Sequence, residues 1–366
     1  MRPATEAELA EMIRAARGPV RIRGGGTRDV GKPVAGEALS SAGLSGVALY
    51  DPGALTLVAG AGTPVSEIET ALASEGQRLP FEPMDMRALL GTDGEPTVGG
   101  MVAANASGPR RVQAGACRDS LIGVRFVDGS GTIIKNGGRV MKNVTGYDLV
   151  KLLAGSWGTL GVLSECAFKL LPRPETEATI LSPAMTPADA VTLMSKALGT
   201  PFEVNGAARM ADGQVALRIE GFTQQVAYRR TALIAALGGD WEVLDADASA
   251  ALWREIRDVT AFGARVGDVW RVCVKPSDAP EVIARAGGEV VMDWGGGLNW
   301  VLVPEGTDLR ARVGSFAGHA TLIRASEATR MTLPVFHPEP APLAKISAGL
   351  RAQFDPRGIL NPGLMG

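Results

Sequence analysis

The chain has 366 residues, 46% of them hydrophobic and 21% charged, which is enough apolar material for a large core and enough length for two domains. That composition excludes a mainly disordered chain. Lys and Arg number 37 against 39 Asp and Glu, and the formal net charge of -2 leaves no basic field to gather nucleic acid or anionic lipid.

The first element is a helix: Thr5 and Glu8 form a capping box, Leu9, Ile13 and Ala16 share a face, and Gly18-Pro19 stops it. Such a start lacks the charged and then apolar pattern of a secretory leader. A short strand, Val20-Arg21-Ile22, runs into Arg23-Gly24-Gly25-Gly26-Thr27. The strand Thr56 to Ala59 precedes a helix with Thr63 as cap, Pro64 as first residue and Gly76 as stop. From Glu95 to Gly108 nearly every residue is small, a poor core but a surface on which a flat or charged ligand can lie. Leu121 to Val127 and Thr132 to Lys135 flank Asp128-Gly129-Ser130-Gly131 as a hairpin. Tyr147 to Ala154 reads as a helix, and Gly161 to Leu171 as a strand closed by Pro172.

Pro172 and Pro174 mark a boundary, which gives domains at 1–174 and 175–328 and a segment 329–366 that returns to the first. In the second domain helices are expected at 187–198, 223–237, 249–258, 278–286 and 307–317. Strands are expected around Ala211-Asp212-Gly213 and over Trp270 to Lys275. The fold class is α+β, with an antiparallel sheet in the second domain and two halves of similar order. Its tryptophans, Trp241, Trp253, Trp270, Trp294 and Trp300, suit either a core or an interaction surface.

Cys117, Cys166 and Cys273 are too few and too widely spaced for a disulfide framework or a CxxC metal cluster, so a reducing, cytoplasmic compartment is expected. No run reaches the ~18 apolar residues of a membrane span, and attachment to the inner membrane is expected only peripherally, through a partner. The 47 glycines against two histidines, His319 and His337, favour ligand binding by the main chain over histidine-rich metal catalysis. No GxxxxGK[ST] is present, and Gly60-Ala61-Gly62 has Val65 where a Rossmann turn needs its third glycine.

Arg23 to Thr27 is the more informative loop. Three residues without Cβ can take positive φ and turn consecutive amides towards one anion such as a pyrophosphate; the alternative is a flexible surface turn. Thr97-Val98-Gly99-Gly100 with Asn105-Ala106-Ser107-Gly108 forms a second candidate, its glycines allowing close approach and its polar side chains hydrogen bonding. Arg110 and Arg111 follow directly and suit an anion, either a cofactor phosphate or a substrate carboxylate.

These residues resemble the FAD-binding family that includes vanillyl-alcohol oxidase and p-cresol methylhydroxylase. The likeness rests on RGGGT at 23–27 and the stretches at 56–80, 96–108, 118–138, 155–172 and 354–363. Within that family the chain is most similar to the FAD-binding E subunits of bacterial glycolate oxidases, at GPRR (108–111) and over 140–161. The resemblance implies a PCMH-type FAD-binding domain, a cap domain and a tail packed on the first. It places the FAD pyrophosphate on 23–27 and against 97–100, Asn105 to Gly108 beside the flavin, and the main chain at Gly161-Val162 against the ring system or adenine. Thr27 stands where covalently flavinylated relatives often carry a histidine, so the FAD is expected to be noncovalent.

The implied activity is oxidation of glycolate to glyoxylate. Electrons would pass to partners, the D flavoprotein and the F iron–sulfur protein of the glycolate oxidase complex. Catalytic relatives carry a GHxGDGNxH-like segment that supplies metal-binding histidines, whereas the corresponding stretch here, Asp293 to Trp300, keeps glycines and Asn299 but no histidine. Two alternatives stay open: a self-sufficient dehydrogenase for a small D-2-hydroxy acid, and a non-catalytic scaffold within the complex.

Overall fold

In the computed structural model, which describes residues 1–138 and 146–366, the first helix spans Glu6–Ala15. Thr5 Oγ1 accepts from Glu8 N at 3.1 Å, and Leu9, Ala10 and Ile13 are buried. A parallel pair, β1 (Val20–Arg23) with β2 (Glu37–Ser40), leads into β3 (Val47–Asp51) and β4 (Thr56–Gly60). The next helix is Val65–Ser74, capped by Pro64; Thr63, expected as the cap, instead presents Oγ1 to Gly46 N at 2.9 Å. After β5 (Gln77–Arg78) come β6 (Leu121–Val127), β7 (Ile133–Gly137), β8 (Val162–Lys169) and β9 (Leu171–Pro172). The antiparallel order is β3-β4-β8-β6-β7, with β5 and β9 paired separately. Of the 140–161 motif, the part before Gly146 lies outside the described residues.

The second sheet contains β10 (Thr176–Leu181), β11 (Val204–Arg209), β12 (Val215–Gly221), β13 (Glu242–Leu244), β14 (Asp268–Val274), β15 (Glu289–Asp293), β16 (Leu298–Val303) and β17 (Gly318–Arg324). Its order, β13-β10-β12-β11-β15-β16-β14-β17, is antiparallel throughout. Each half runs strand, helix, strand, strand, helix, strand, and the halves meet through their second strands at Arg209 and Met292. The duplication expected from the sequence is therefore a pseudo-symmetric sheet. Helices Pro187–Leu198 and Thr223–Leu237 match expectation, whereas the 307–317 helix shortens to Leu309–Val313, where Asp308 caps it and Gly314 ends it. Trp253, Trp270 and Trp300 are buried in the core. No described helix is long and apolar enough to cross a membrane.

A buried charge network joins the second sheet to the first part of the chain. Arg218, on β12, forks onto both oxygens of Glu82 at 2.9 Å and reaches Asn205 Oδ1 at 2.9 Å. Glu220 takes Arg78 at 2.9 and 3.0 Å and Arg110 at 3.0 and 2.6 Å. Burial alone would raise both carboxyls, but Arg218 and Arg110, with Arg78 at Glu220, outweigh it and hold Glu82 and Glu220 below the ordinary carboxylate range. Arg110, expected on a cofactor phosphate or a carboxylate ligand, is thus buried and engaged by two glutamates. Its partners come from remote parts of the sequence, which is why its position after the 105–108 turn misleads.

The tail returns to the first part of the fold. After the helix Ala341–Phe354, Val20 N donates to Ile359 O at 2.7 Å and Asn361 N to Val20 O at 3.0 Å. Asn361 Oδ1 accepts from Ile22 N at 2.8 Å and its Nδ2 donates to Trp157 O at 2.9 Å. One side chain therefore ties β1, from which the glycine loop emerges, to the 155–162 segment.

Candidate functional site

The 23–28 segment leaves β1 and lies directly against residues 94–100. Nothing larger than glycine fits at two of its positions: a Cβ on Gly24 would stand 2.3 Å from Thr97 Oγ1, and one on Gly25 1.6 Å from the Glu95 carbonyl oxygen. Of the three glycines only Gly26 has positive φ, at 77°, so the expected run of three left-handed residues becomes one such residue after two close approaches. Among the described residues the amides of Gly25, Gly26, Thr27 and Arg28 donate to no protein carbonyl. Consecutive free amides of this kind suit an anion. Thr27 is buried, with its carbonyl accepting from Thr92 Oγ1 at 3.2 Å, while Arg23 is exposed and its guanidinium lies beside Gly26.

Thr97 to Gly100 is a helix start rather than a glycine loop. Thr97 Oγ1 caps the helix Val98–Ala103 by accepting from Gly100 N at 3.3 Å. Val98 N donates to Thr63 O at 2.9 Å and Gly99 N to Ala61 O at 2.7 Å. These amides are consumed inside the protein and cannot grip a diphosphate. Gly99 is small because a Cβ there would stand 2.8 Å from the Ala61 Cβ, whereas Gly100 faces Arg28, whose Nη1 would be 3.5 Å from an added Cβ. Close helix packing demands the same small residues that a turn would use.

Asn105, at φ 48°, accepts from Arg118 N at 3.0 Å. Ser107 Oγ donates to Asn105 O at 3.2 Å and accepts from Cys117 N at 2.9 Å. Both side chains therefore shape the turn, with Ala106 buried beneath it and Gly108 N bonded to Phe81 O at 2.8 Å. Gly161 lies against Phe126, where a Cβ would meet the ring at 2.5 Å, and the Val162 side chain is buried in the core with Leu9. This pair offers only main chain. Gly155 N and Trp157 N donate to Val102 O and Ala103 O, at 3.1 and 3.0 Å, so the 155–162 segment joins the same cluster.

Arg28 is the site residue that sequence reasoning missed, although it directly follows RGGGT. It is half-buried, its Nη2 donates to Met84 O at 3.0 Å, and its Nε is enclosed without a partner. Burial lowers its pKa to about 10, with Asp85 opposing, so it remains a cation at neutral pH. Ser156 Oγ is likewise buried and unpartnered. Free amides, an enclosed cation whose Nε lacks an acceptor and an orphaned hydroxyl fit a phosphate-bearing cofactor such as FAD.

Across from the 105–108 turn stands the turn between β15 and β16. Trp294, at φ 54°, donates its Nε1–H to Gly108 O at 3.0 Å. The Arg111 guanidinium lies 4.4 Å from the indole centroid and that of Arg271, on β14, 5.3 Å from it. Both arginines are half-buried, and neither guanidinium has a hydrogen-bond or ion-pair partner among the described residues. Buried Asp293 accepts from Trp294 N at 2.7 Å, and burial pushes its pKa up to about 7 against that bond. Asn299 Nδ2 donates to Gly296 O at 3.0 Å, which closes the turn. Desolvation lowers the pKa of His319, and Arg271, His337 and Arg111 lower it further. His337 is structural, its Nδ1 accepting from Ala320 N at 3.2 Å.

The family described as FAD binding domain matches residues 1–137. The chain is 35% identical over 350 residues to glycolate oxidase subunit GlcE of Escherichia coli (strain K12), covering 95% of this chain and 92% of that protein. A D-lactate dehydrogenase of Archaeoglobus fulgidus is 31% identical over 52% of this chain and 42% of its own length. A solved alkyldihydroxyacetonephosphate synthase shares the fold, with a TM-score of 0.71 at 15% identity over 99% of this chain and 76% of that one. The glycine loop with its free amides and the likeness along almost the whole length agree: the chain belongs to the FAD-binding flavoprotein family of PCMH type, among FAD-linked oxidoreductases related to the GlcE component of glycolate oxidase.

Proposed function

We propose that this chain is the FAD-binding E component of a glycolate oxidase, in which glycolate is oxidised to glyoxylate and electrons pass to the D flavoprotein and the F iron–sulfur protein. The observation that supports this most is the 35% identity to GlcE over 95% of the chain, which includes the second sheet and the tail as well as the FAD-binding part. In this reading the FAD pyrophosphate meets the amides of 25–28 and the Arg28 guanidinium, Gly100 leaves room beside it, and the 105–108 turn borders the flavin. When bound, FAD supplies a two-electron acceptor for the hydroxy carbon. The chain's own residues orient it and exclude water.

Acid denaturation followed by filtration is expected to release all the flavin into the filtrate, because Thr27 provides no nitrogen for a bond to the ring. Yellow colour retained with the polypeptide would contradict a noncovalent cofactor. Co-expression with the D and F proteins is expected to give glycolate-dependent dye reduction that disappears when this chain is omitted; full activity without it would overturn the assignment. The match to a D-lactate dehydrogenase over half the chain favours a second reading, a self-sufficient D-2-hydroxy acid dehydrogenase. Bleaching of the isolated FAD-loaded chain by glycolate or D-lactate would favour that one.

A further inference from the structure

We infer that Arg111, Trp294 and Arg271 form a carboxylate-binding clamp in this chain's own cap, and that it takes a small 2-hydroxy or 2-oxo monocarboxylate. The inference rests on the reading that FAD lies beside the 105–108 turn, since the clamp stands next to Gly108.

Two guanidiniums share one indole, at 4.4 and 5.3 Å from its centroid, and neither has a carboxylate or carbonyl partner among the described residues. Half-buried Arg257 and Arg330, by comparison, pair with carboxylates, Asp258 at 2.7 Å and Asp29 at 3.1 Å. Like charges gathered without a counter-ion repel one another. Burial and then Arg271 lower the proton affinity of Arg111, in the direction that repulsion gives, with Cys273 and Asp119 opposing. A bound carboxylate removes it, since each guanidinium can present a planar fork to an oxygen pair.

Geometry also limits the ligand. Trp294 is locked by its bond to Gly108 O and forms a rigid aromatic wall between the 105–108 turn and the cap. Arg271 and His319 both belong to antiparallel neighbours, with Cys273 opposite His319 and Arg271 two residues before it on the same face. His319 therefore borders the clamp, and its lowered pKa keeps it an uncharged hydrogen-bonding group at neutral pH. Two cations and a neutral imidazole around one wall match a carboxylate that carries an adjacent hydroxyl or carbonyl.

Isothermal titration of the FAD-loaded chain with oxalate and with glycolate tests the clamp without relying on turnover. Arg271→Gln and Arg111→Gln are each expected to weaken oxalate about 10- to 100-fold, the range for losing one charge-assisted contact. Arg271→Lys is expected to fall between wild type and Arg271→Gln, and Arg230→Gln, on the remote helix Thr223–Leu237, to match wild type. FAD content and thermal midpoint should stay unchanged in all four. Absence of oxalate binding in a protein that retains FAD would overturn the clamp and leave the FAD reading intact. Unaltered binding in both glutamine variants would also overturn it, as would loss of FAD on Arg271→Gln, which would assign the pair to the cofactor. A chain that retains no flavin yet binds oxalate through Arg271 would fail the FAD reading and keep the clamp.

Discussion

Gly25→Ala is expected to abolish flavin retention while leaving most of the fold in place. The added Cβ would stand 1.6 Å from the Glu95 carbonyl oxygen and 2.7 Å from its carbon. Both atoms are main chain, so no side-chain rotation relieves the clash and the two loops must separate by more than an ångström. Displacement of that size at a pre-organised site costs about 100-fold, and FAD affinity measured by fluorescence titration should fall at least that far. Gly24→Ala offers an internal comparison, because its obstacle is the Thr97 hydroxyl at 2.3 Å. Trimming that side chain with Thr97→Ala should restore part of the loss for Gly24→Ala and none for Gly25→Ala. FAD affinity within about threefold of wild type in Gly25→Ala, far short of that loss, would show that the loop contact does not organise the cofactor site.

Arg218→Ala is expected to destabilise the protein by about 3–5 kcal/mol, the cost of leaving a buried carboxylate without its partner. The side chain is 1% exposed, forks onto Glu82, bonds Asn205 and lies 4.6 Å over the Trp253 ring. Removing it leaves Glu82 with Arg110 alone, and Arg110 is already shared with Glu220. Arg218→Lys should recover less than half, since an ammonium cannot reproduce the two-pronged contact. Urea unfolding with an unchanged slope and a lowered midpoint is the expected signature.

The same network sets a pH dependence. Glu82 and Glu220 have folded pKa values below their unfolded ones, so their contribution is fully present above the ordinary glutamate range and is lost as pH falls through the depressed values. Wild type should therefore lose stability on acidification more steeply than Arg218→Ala. Parallel curves for the two proteins would refute the linkage.

Much of the second sheet's local structure is legible in the sequence, and its pairing is not. Thr186 before Pro187 writes the start of one helix, and Gly238, at φ 72°, writes the end of another. The junction of the halves, in contrast, is the single register pair Arg209 and Met292, which no local pattern announces. The candidate site divides the same way. A glycine run after a strand announces an anion-binding loop, but not that Gly24 and Gly25 are there for close approach to Thr97 and Glu95, nor that Arg28, immediately beyond the run, joins it. Arg271 sits in an ordinary apolar strand and acquires meaning only when sheet register brings it to Trp294. The small residues at 97–100 carry a real signal of tight packing, but spacing alone does not distinguish a ligand from Ala61 as the close neighbour.

Asn361 gives the fold an order in time. It holds the strand that launches the glycine loop, yet it leaves the ribosome 339 residues after Ile22, its bonding partner. Until that asparagine is made, the beginning of the protein lacks one of its clasps, however early the neighbouring strands collapse. A nascent or truncated chain that stops short of Asn361 therefore keeps the strand that launches the glycine loop without its tie to the 155–162 segment.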